Sequence, residues 1–182
     1  EFKHTLPEYL ASKGLKQYAI SETVKFGHIT YYFNGNSYHV PDGEVDEEVP
    51  SYTEPFNTRP WMKSAEITDK LIAAIESKQY DFLRINYPGG DMVGHFGELE
   101  PTINAMESID ICLKRIVEAV NKLGGITIIT ADHGNAEELL NPDGTPKTAH
   151  TTNRVPCIFV DDTANAEKYR LSLGDRGLAN IA

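Results

Sequence analysis

Between Ser64 and Thr130 the sequence switches back and forth between helical and strand periodicity, and that alternation narrows the fold more than any other feature. Ile67, Leu71, Ala74 and Ile75 recur at helical spacing behind Ser64, which can cap a helix running to about Lys78. Asp81–Asn86 follows as a compact apolar run of strand length. Met106, Ile109, Leu113, Ile116, Val117 and Val120 then form the stripe of a long helix that ends near Gly124 and Gly125. Ile126–Thr130 and Val155–Val160 read as two further buried strands. Strand, helix, strand with short connections predicts an α/β fold: a mostly parallel sheet flanked by helices.

The first third is less regular. Thr5–Lys13 reads as a short helix, with Thr5 as cap, Pro7 in the first turn and Gly14 as its end. Gln17–Ile20 reads as a short buried strand, whereas His28–Phe33 fits either a strand or an apolar helix. Ser37–Pro60 combines six acidic residues (Asp42, Glu44, Asp46, Glu47, Glu48, Glu54) with Pro41, Pro50, Pro55 and Pro60. That composition predicts a surface excursion or linker.

The 182 residues amount to about one domain, and 40% apolar content excludes general disorder. Seventeen basic against 27 acidic residues give a net charge of −10, a poor match to nucleic acid, whose affinity rests on Lys and Arg. No apolar stretch approaches the roughly 18 residues of a membrane span, and no signal peptide is evident. Cys112 and Cys157 lie in apolar stretches without a spaced framework. The expectation is two reduced core residues in a cytoplasmic protein.

In parallel sheets, ligands gather beyond the carboxyl ends of the strands. The loops there are rich in Asp and His. Asp91 and His95 follow the Asp81–Asn86 run, Asp132-His133-Gly134-Asn135 follows Ile126–Thr130, and His150 stands just ahead of Val155–Val160. Carboxylate and imidazole together suit a divalent cation. Asp91 and His95, four apart, can be aimed at one ion from a single turn. Five such ligands suit two ions better than one, the arrangement used for in-line phosphoryl displacement. Taken alone, each motif reads more simply as a helix-surface pair, a turn with a capping Asp, or a hydrogen-bonded surface or core histidine; their joint placement at strand ends carries the argument. Lys25, after a strand-like stretch, is a solvated lysine or a point-charge phosphate contact. His4, His28 and His39 receive no role, and Tyr31, Tyr32 and Phe33 are read as packing residues.

These segments resemble a known family. Thr130–Glu137 (Thr-Ala-Asp-His-Gly-Asn-Ala-Glu), Thr148–Asn153 (Thr-Ala-His-Thr-Thr-Asn) and Asp91–His95 are similar to the cofactor-independent phosphoglycerate mutases, of the alkaline-phosphatase-like superfamily. Ser21–Phe33 is similar to that family's Glu-Thr-x-Lys-Tyr/Phe-x-His segment. The resemblance implies that Asp91, His95 and His150 hold one manganese ion, that Asp132 and His133 contribute to a second, and that Lys25 contacts the substrate phosphate and the nucleophile. It implies interconversion of 3-phosphoglycerate and 2-phosphoglycerate through a phosphoserine, with two divalent ions, most simply Mn2+, and no 2,3-bisphosphoglycerate. The implied parent is a cytoplasmic monomer whose partner is phosphoglycerate alone, neither nucleic acid nor membrane.

The family's serine nucleophile, a further metal-binding aspartate and an inserted phosphotransferase domain have no counterpart in these residues. Residues 1–182 are therefore expected to be the C-terminal segment of the phosphatase domain, inactive alone, with Leu178, Ala179 and Ile181 beginning another apolar element. Three alternatives stay open: a sister enzyme such as a phosphopentomutase or phosphatase, a non-catalytic metal-binding module, and an α/β domain with inert histidines.

Overall fold

Strand β1 (Gln17–Glu22) organises the molecule: all six of its residues are buried. A computed structural model describes residues 2–168, 177 and 181. In it β1 lies between β2 (Glu44–Val49) and β3 (Phe82–Ile85), parallel to both. Gln17 aligns with Glu44 and Phe82, and Ile20 with Glu47 and Ile85. A strand covered on both faces reads as a continuous buried run rather than an alternating one.

The two faces of this sheet carry different chemistry. On one face Tyr18, Ile20 and Val49 join Ile67, Leu71, Ala74 and Ile75 of α3 (Ser64–Ser77) and Ile116 and Ala119 of α5 (Leu99–Lys122) in the main apolar core. On the other, Arg84 of β3 is buried in polar company. Its guanidinium donates to both carboxylate oxygens of Glu44 (2.6 and 3.0 Å) and to the carbonyl of Ile29 (2.8 Å). Ile29 belongs to a π-helical turn, His28–Tyr32, that continues α2 (Thr23–Gly27). Asp46, which shares this face with Glu44, is driven up to about 6, first by burial and then by the neighbouring Glu44 charge.

The short helix α1 (Leu6–Ser12) forms as its sequence dictates. Glu8 N–H donates to the Thr5 hydroxyl and Thr5 N–H donates to the Glu8 carboxylate, a reciprocal capping box. The face expected for α3 is the one it buries. Its cap position falls on Lys63, one residue earlier than expected, and the buried Glu22 carboxylate accepts the Lys63 N–H (2.5 Å).

Several expectations are corrected. Ser37–Pro60 is not merely an excursion: it contains β2, whose Glu44 and Val49 are buried. An acidic segment can enter the sheet because Arg84 neutralises Glu44. The buried face of α5 is Thr102, Ala105, Ile109, Cys112, Ile116 and Ala119, rotated from the expected stripe, and Met106 is exposed. Strands β4 (Thr127–Thr130) and β5 (Cys157–Val160) form a separate antiparallel pair. No helix separates them, and a chain that returns without a crossover pairs antiparallel. Both are less covered than expected, with Ile128 and Ile158 each 49% exposed. Cys112 is buried, but Cys157 is exposed. Tyr32 is exposed, and Phe33 lies under the Arg84 guanidinium (4.7 Å to the ring centre). Leu178 and Ala179 lie outside the described residues. No helix among the described residues is long and apolar enough to cross a membrane.

Candidate metal centre

Four segments distant in sequence meet beyond the ends of β1, β3 and β4. The first is α4 (Gly89–Gly94), the turn that follows β3. It places Asp91 in its first turn and His95 at its C-cap, so both side chains leave the same face. Gly94 is required there: a Cβ would stand 2.6 Å from Asn135 Oδ1. The second is the turn Asp132–Asn135 after β4. The third is the segment around His150, bridged to that turn by the Thr151 N–H donating to the Gly134 carbonyl (2.9 Å). The fourth is α2, which carries Lys25, buried, rather than the strand end expected for it.

The donor atoms converge. Asp91 Oδ1 lies 2.9 Å from His95 Nε2 and 3.0 Å from His150 Nε2, and the two imidazole nitrogens are 3.2 Å apart. Donor atoms about 2.1 Å from one ion stand about 3.0 Å apart at right angles and about 3.4 Å apart in a tetrahedron. The three observed separations match the edges of such a polyhedron. His95 Nδ1 donates to the Thr148 carbonyl (2.6 Å), which fixes the tautomer that turns a bare Nε2 lone pair inward. His133 repeats the pattern, with Nδ1 directed at the Gly134 carbonyl (3.3 Å). Converging lone pairs and a carboxylate repel one another unless a cation or shared proton sits between them, so the donor set fits a divalent metal.

His133 and Asp132 extend the site without joining the triad. The His133 ring stacks on that of His150 (centroids 3.5 Å apart, 14° between planes). Its Nε2 is 3.9 Å from Asp91 Oδ1 and 3.6 Å from Asp132 Oδ2. The Asp132 carboxylate is 60% exposed, on the open rim. Lys25 Nζ lies 2.5 Å from the other Asp91 oxygen. Burial opposes ionisation of Asp91, but the hydrogen bonds from Lys25 and Asn135 outweigh it and hold the carboxyl at about 2. Asp91 is therefore an anion through the whole neutral range. Burial and the Lys25 ammonium lower the His28 imidazole, against the pull of Asp132 and Asp91.

All six residues singled out in the sequence thus lie in one neighbourhood. Supporting side chains were not singled out: Asn135, which donates to Asp91 Oδ1 (3.0 Å), and Glu137, Thr151 and Asn153, which are hydrogen-bonded to one another. They stand inside the same motifs, but their partners are set by approach between distant segments, which leaves no periodic signal.

The family model described as the metalloenzyme superfamily matches residues 1–182, and the chain belongs to that superfamily. Within it the similarity is to 2,3-bisphosphoglycerate-independent phosphoglycerate mutases. The enzyme of Bacteroides fragilis is 44% identical over 180 residues, which is 98% of this chain and 35% of the relative. That of Chromohalobacter salexigens is 45% identical over 160 residues (86% and 30%), and that of Trichormus variabilis 48% over 157 (86% and 30%). A crystal structure of Leishmania mexicana phosphoglycerate mutase at low cobalt concentration matches with a TM-score of 0.83 and 40% identity, covering 88% of this chain and 32% of that one. The chain spans about a third of the length of these relatives. The expected α/β, alkaline-phosphatase-like fold is the one this match supports.

Proposed function

We propose that this chain is the metal-binding portion of the phosphatase domain of a cofactor-independent phosphoglycerate mutase. The reaction is interconversion of 3-phosphoglycerate and 2-phosphoglycerate through a phosphoserine, in cytoplasmic glycolysis and gluconeogenesis, by a monomer. The observation that carries the reading is the meeting of Asp91, His95 and His150 donors at 2.9–3.2 Å in a chain 44–48% identical to such mutases. Asp91, His95 and His150 would hold one divalent ion, and Asp132 and His133 would contribute to a second. Manganese is the proposed metal, from a donor mix that also suits cobalt or zinc. Bound there, such ions supply charge to phosphoryl oxygens and lower the pKa of an attacking hydroxyl.

The residues of the chain do the positioning. Lys25 is anchored by Asp91 and has further N–H donors for a phosphate oxygen, offsetting negative charge as the group transfers. Asp91 remains ionised and fixes both Lys25 and the two imidazoles. The Thr148 carbonyl holds the His95 ring in its inward orientation. In this proposal the serine nucleophile comes from outside these 182 residues, so they do not turn over substrate by themselves.

The intact protein is expected to equilibrate 3- and 2-phosphoglycerate, to lose that activity on chelation, to regain it with Mn2+, and to need no 2,3-bisphosphoglycerate. Phosphorus NMR reads all four, and full activity after exhaustive chelation refutes the metal role. His95→Ala is expected to weaken Mn2+ binding about tenfold or more while leaving the unfolding midpoint in place. Full occupancy of both ions in that variant would show the ligand assignment to be wrong.

A further inference from the structure

Glu137 stands outside the triad and is not used by the proposed reaction, yet three donors from two segments end on its carboxylate. The backbone N–H of Asn135 donates to Oε2 (2.7 Å). The side-chain amide of Asn153 donates to Oε1 (3.0 Å), and the Thr151 hydroxyl donates to the same oxygen. Thr151 is the immediate neighbour of His150, and the Asn135 side chain donates to Asp91 Oδ1 (3.0 Å). One carboxylate therefore links the segment bearing His150 to the turn that grips Asp91. The packing around it is close: a Cβ on Gly134 would fall 2.2 Å from Thr151 Oγ1 and 2.3 Å from Glu137 Oε1. Gly134 is thus the residue that lets the Glu137–Thr151 bond form across the turn.

We propose that Glu137 is a positioning residue, which sets His150 against Asp91 and His95 by clasping the 132–135 turn to the 151–153 segment. The clasp depends on a carboxylate with two accepting oxygens at the reach of a glutamate side chain. Burial works against the charge, but the hydrogen bonds from Thr151, from its own backbone N–H, and from Asn153 and Asn135 prevail and hold the carboxyl at about 2. The clasp is therefore charged throughout the neutral range. Its bearing on metal rests on the metal-centre reading given above; its bearing on the placement of His150 does not.

Three variants of the intact protein separate reach from charge. Glu137→Ala removes the clasp. Glu137→Asp keeps the charge but is one methylene short. Glu137→Gln keeps the length and one accepting oxygen. Co2+ binding is followed by visible absorption. Amide hydrogen exchange of the peptide containing Thr151, whose N–H bonds Gly134, is followed without metal. Co2+ affinity is expected to fall about 10- to 100-fold in Glu137→Ala and Glu137→Asp, with an altered spectrum, and to fall less in Glu137→Gln. Exchange at Thr151 is expected to rise about tenfold or more in the first two, and less in the third. If Glu137→Ala does not fold, the Asp and Gln variants carry the test. Wild-type behaviour of Glu137→Asp in both readouts overturns the proposal. A wild-type protein that binds no Co2+, with the expected exchange pattern in the variants, supports the clasp and refutes the metal centre.

Discussion

The β2-β1-β3 sheet and the β4–β5 pair each supply half of the candidate site, and they are built to different standards. The first buries every residue of β1, is covered by α3 and α5 on one face, and encloses an Arg–Glu ion pair on the other. Within these residues, the second leaves Ile128 and Ile158 half exposed. From the first come Lys25, Asp91 and His95; from the second come Asp132, His133 and His150. The triad joins the two, so its geometry depends on a well-packed rim and on a lightly covered one held by hydrogen bonds through Asn135, Glu137 and Thr151. The triad thus takes its carboxylate and one imidazole from the well-packed side and its second imidazole from the lightly covered one.

The sharpest way to break the contrast is to attack the charge buried under the sheet. Arg84→Met leaves Glu44 and Asp46 facing each other without a counter-charge. It is expected to cost about 3–5 kcal/mol in chemical denaturation. A loss under about 1 kcal/mol would show that the pair is not structural. Next in size is a matched truncation. Ile20→Ala, at a fully buried position of β1, is expected to cost about 2–5 kcal/mol, whereas Ile128→Ala in β4 costs about 0.5 kcal/mol or less. Equal losses would erase the distinction between the two regions.

Asp46→Asn sharpens the comparison from the pH side. The folded protein raises Asp46 from 3.8 to about 6, so it favours the protonated form. The stability tied to that proton is complete below pH 3.8 and is lost as pH rises through 6. The asparagine variant, neutral at every pH, is therefore expected to be more stable than wild type above pH 6, by about 1–3 kcal/mol, and equal to it at pH 3.8 or below. Thermal melts at the two extremes of pH check both the gain and its disappearance. A stability difference that does not change with pH would detach it from this carboxyl.

The parts of the molecule legible in the chain are those governed by local rules. Thr5 and Glu8 meet within one turn of helix, so their capping box could be read from two letters. The apolar positions of α3 recur at a spacing that leaves a single face to bury. The Asp and His residues at strand ends were visible because residue type and the strand-end rule narrow the chemistry together. Sequence patterns were silent or misleading where a distant partner set the outcome. The buried face of α5 keeps Ile109 and Ile116 of the expected stripe but turns toward Ala105, Cys112 and Ala119, which look unremarkable until a neighbouring helix is pressed against them. The acidic β2 looked like solvent-exposed loop because its neutralising Arg84 is 40 residues further on.

Local periodicity and caps thus point to α1, α3 and α5 and to strands β1 and β3, and residue chemistry to the side chains that could hold a cation, since each depends on neighbours a few bonds away. The entry of β2 into the sheet, the antiparallel return of β5 and the approach of His150 to Asp91 over 59 residues were settled by folding. Each of these brings together groups whose interaction energy is zero until the chain between them has closed.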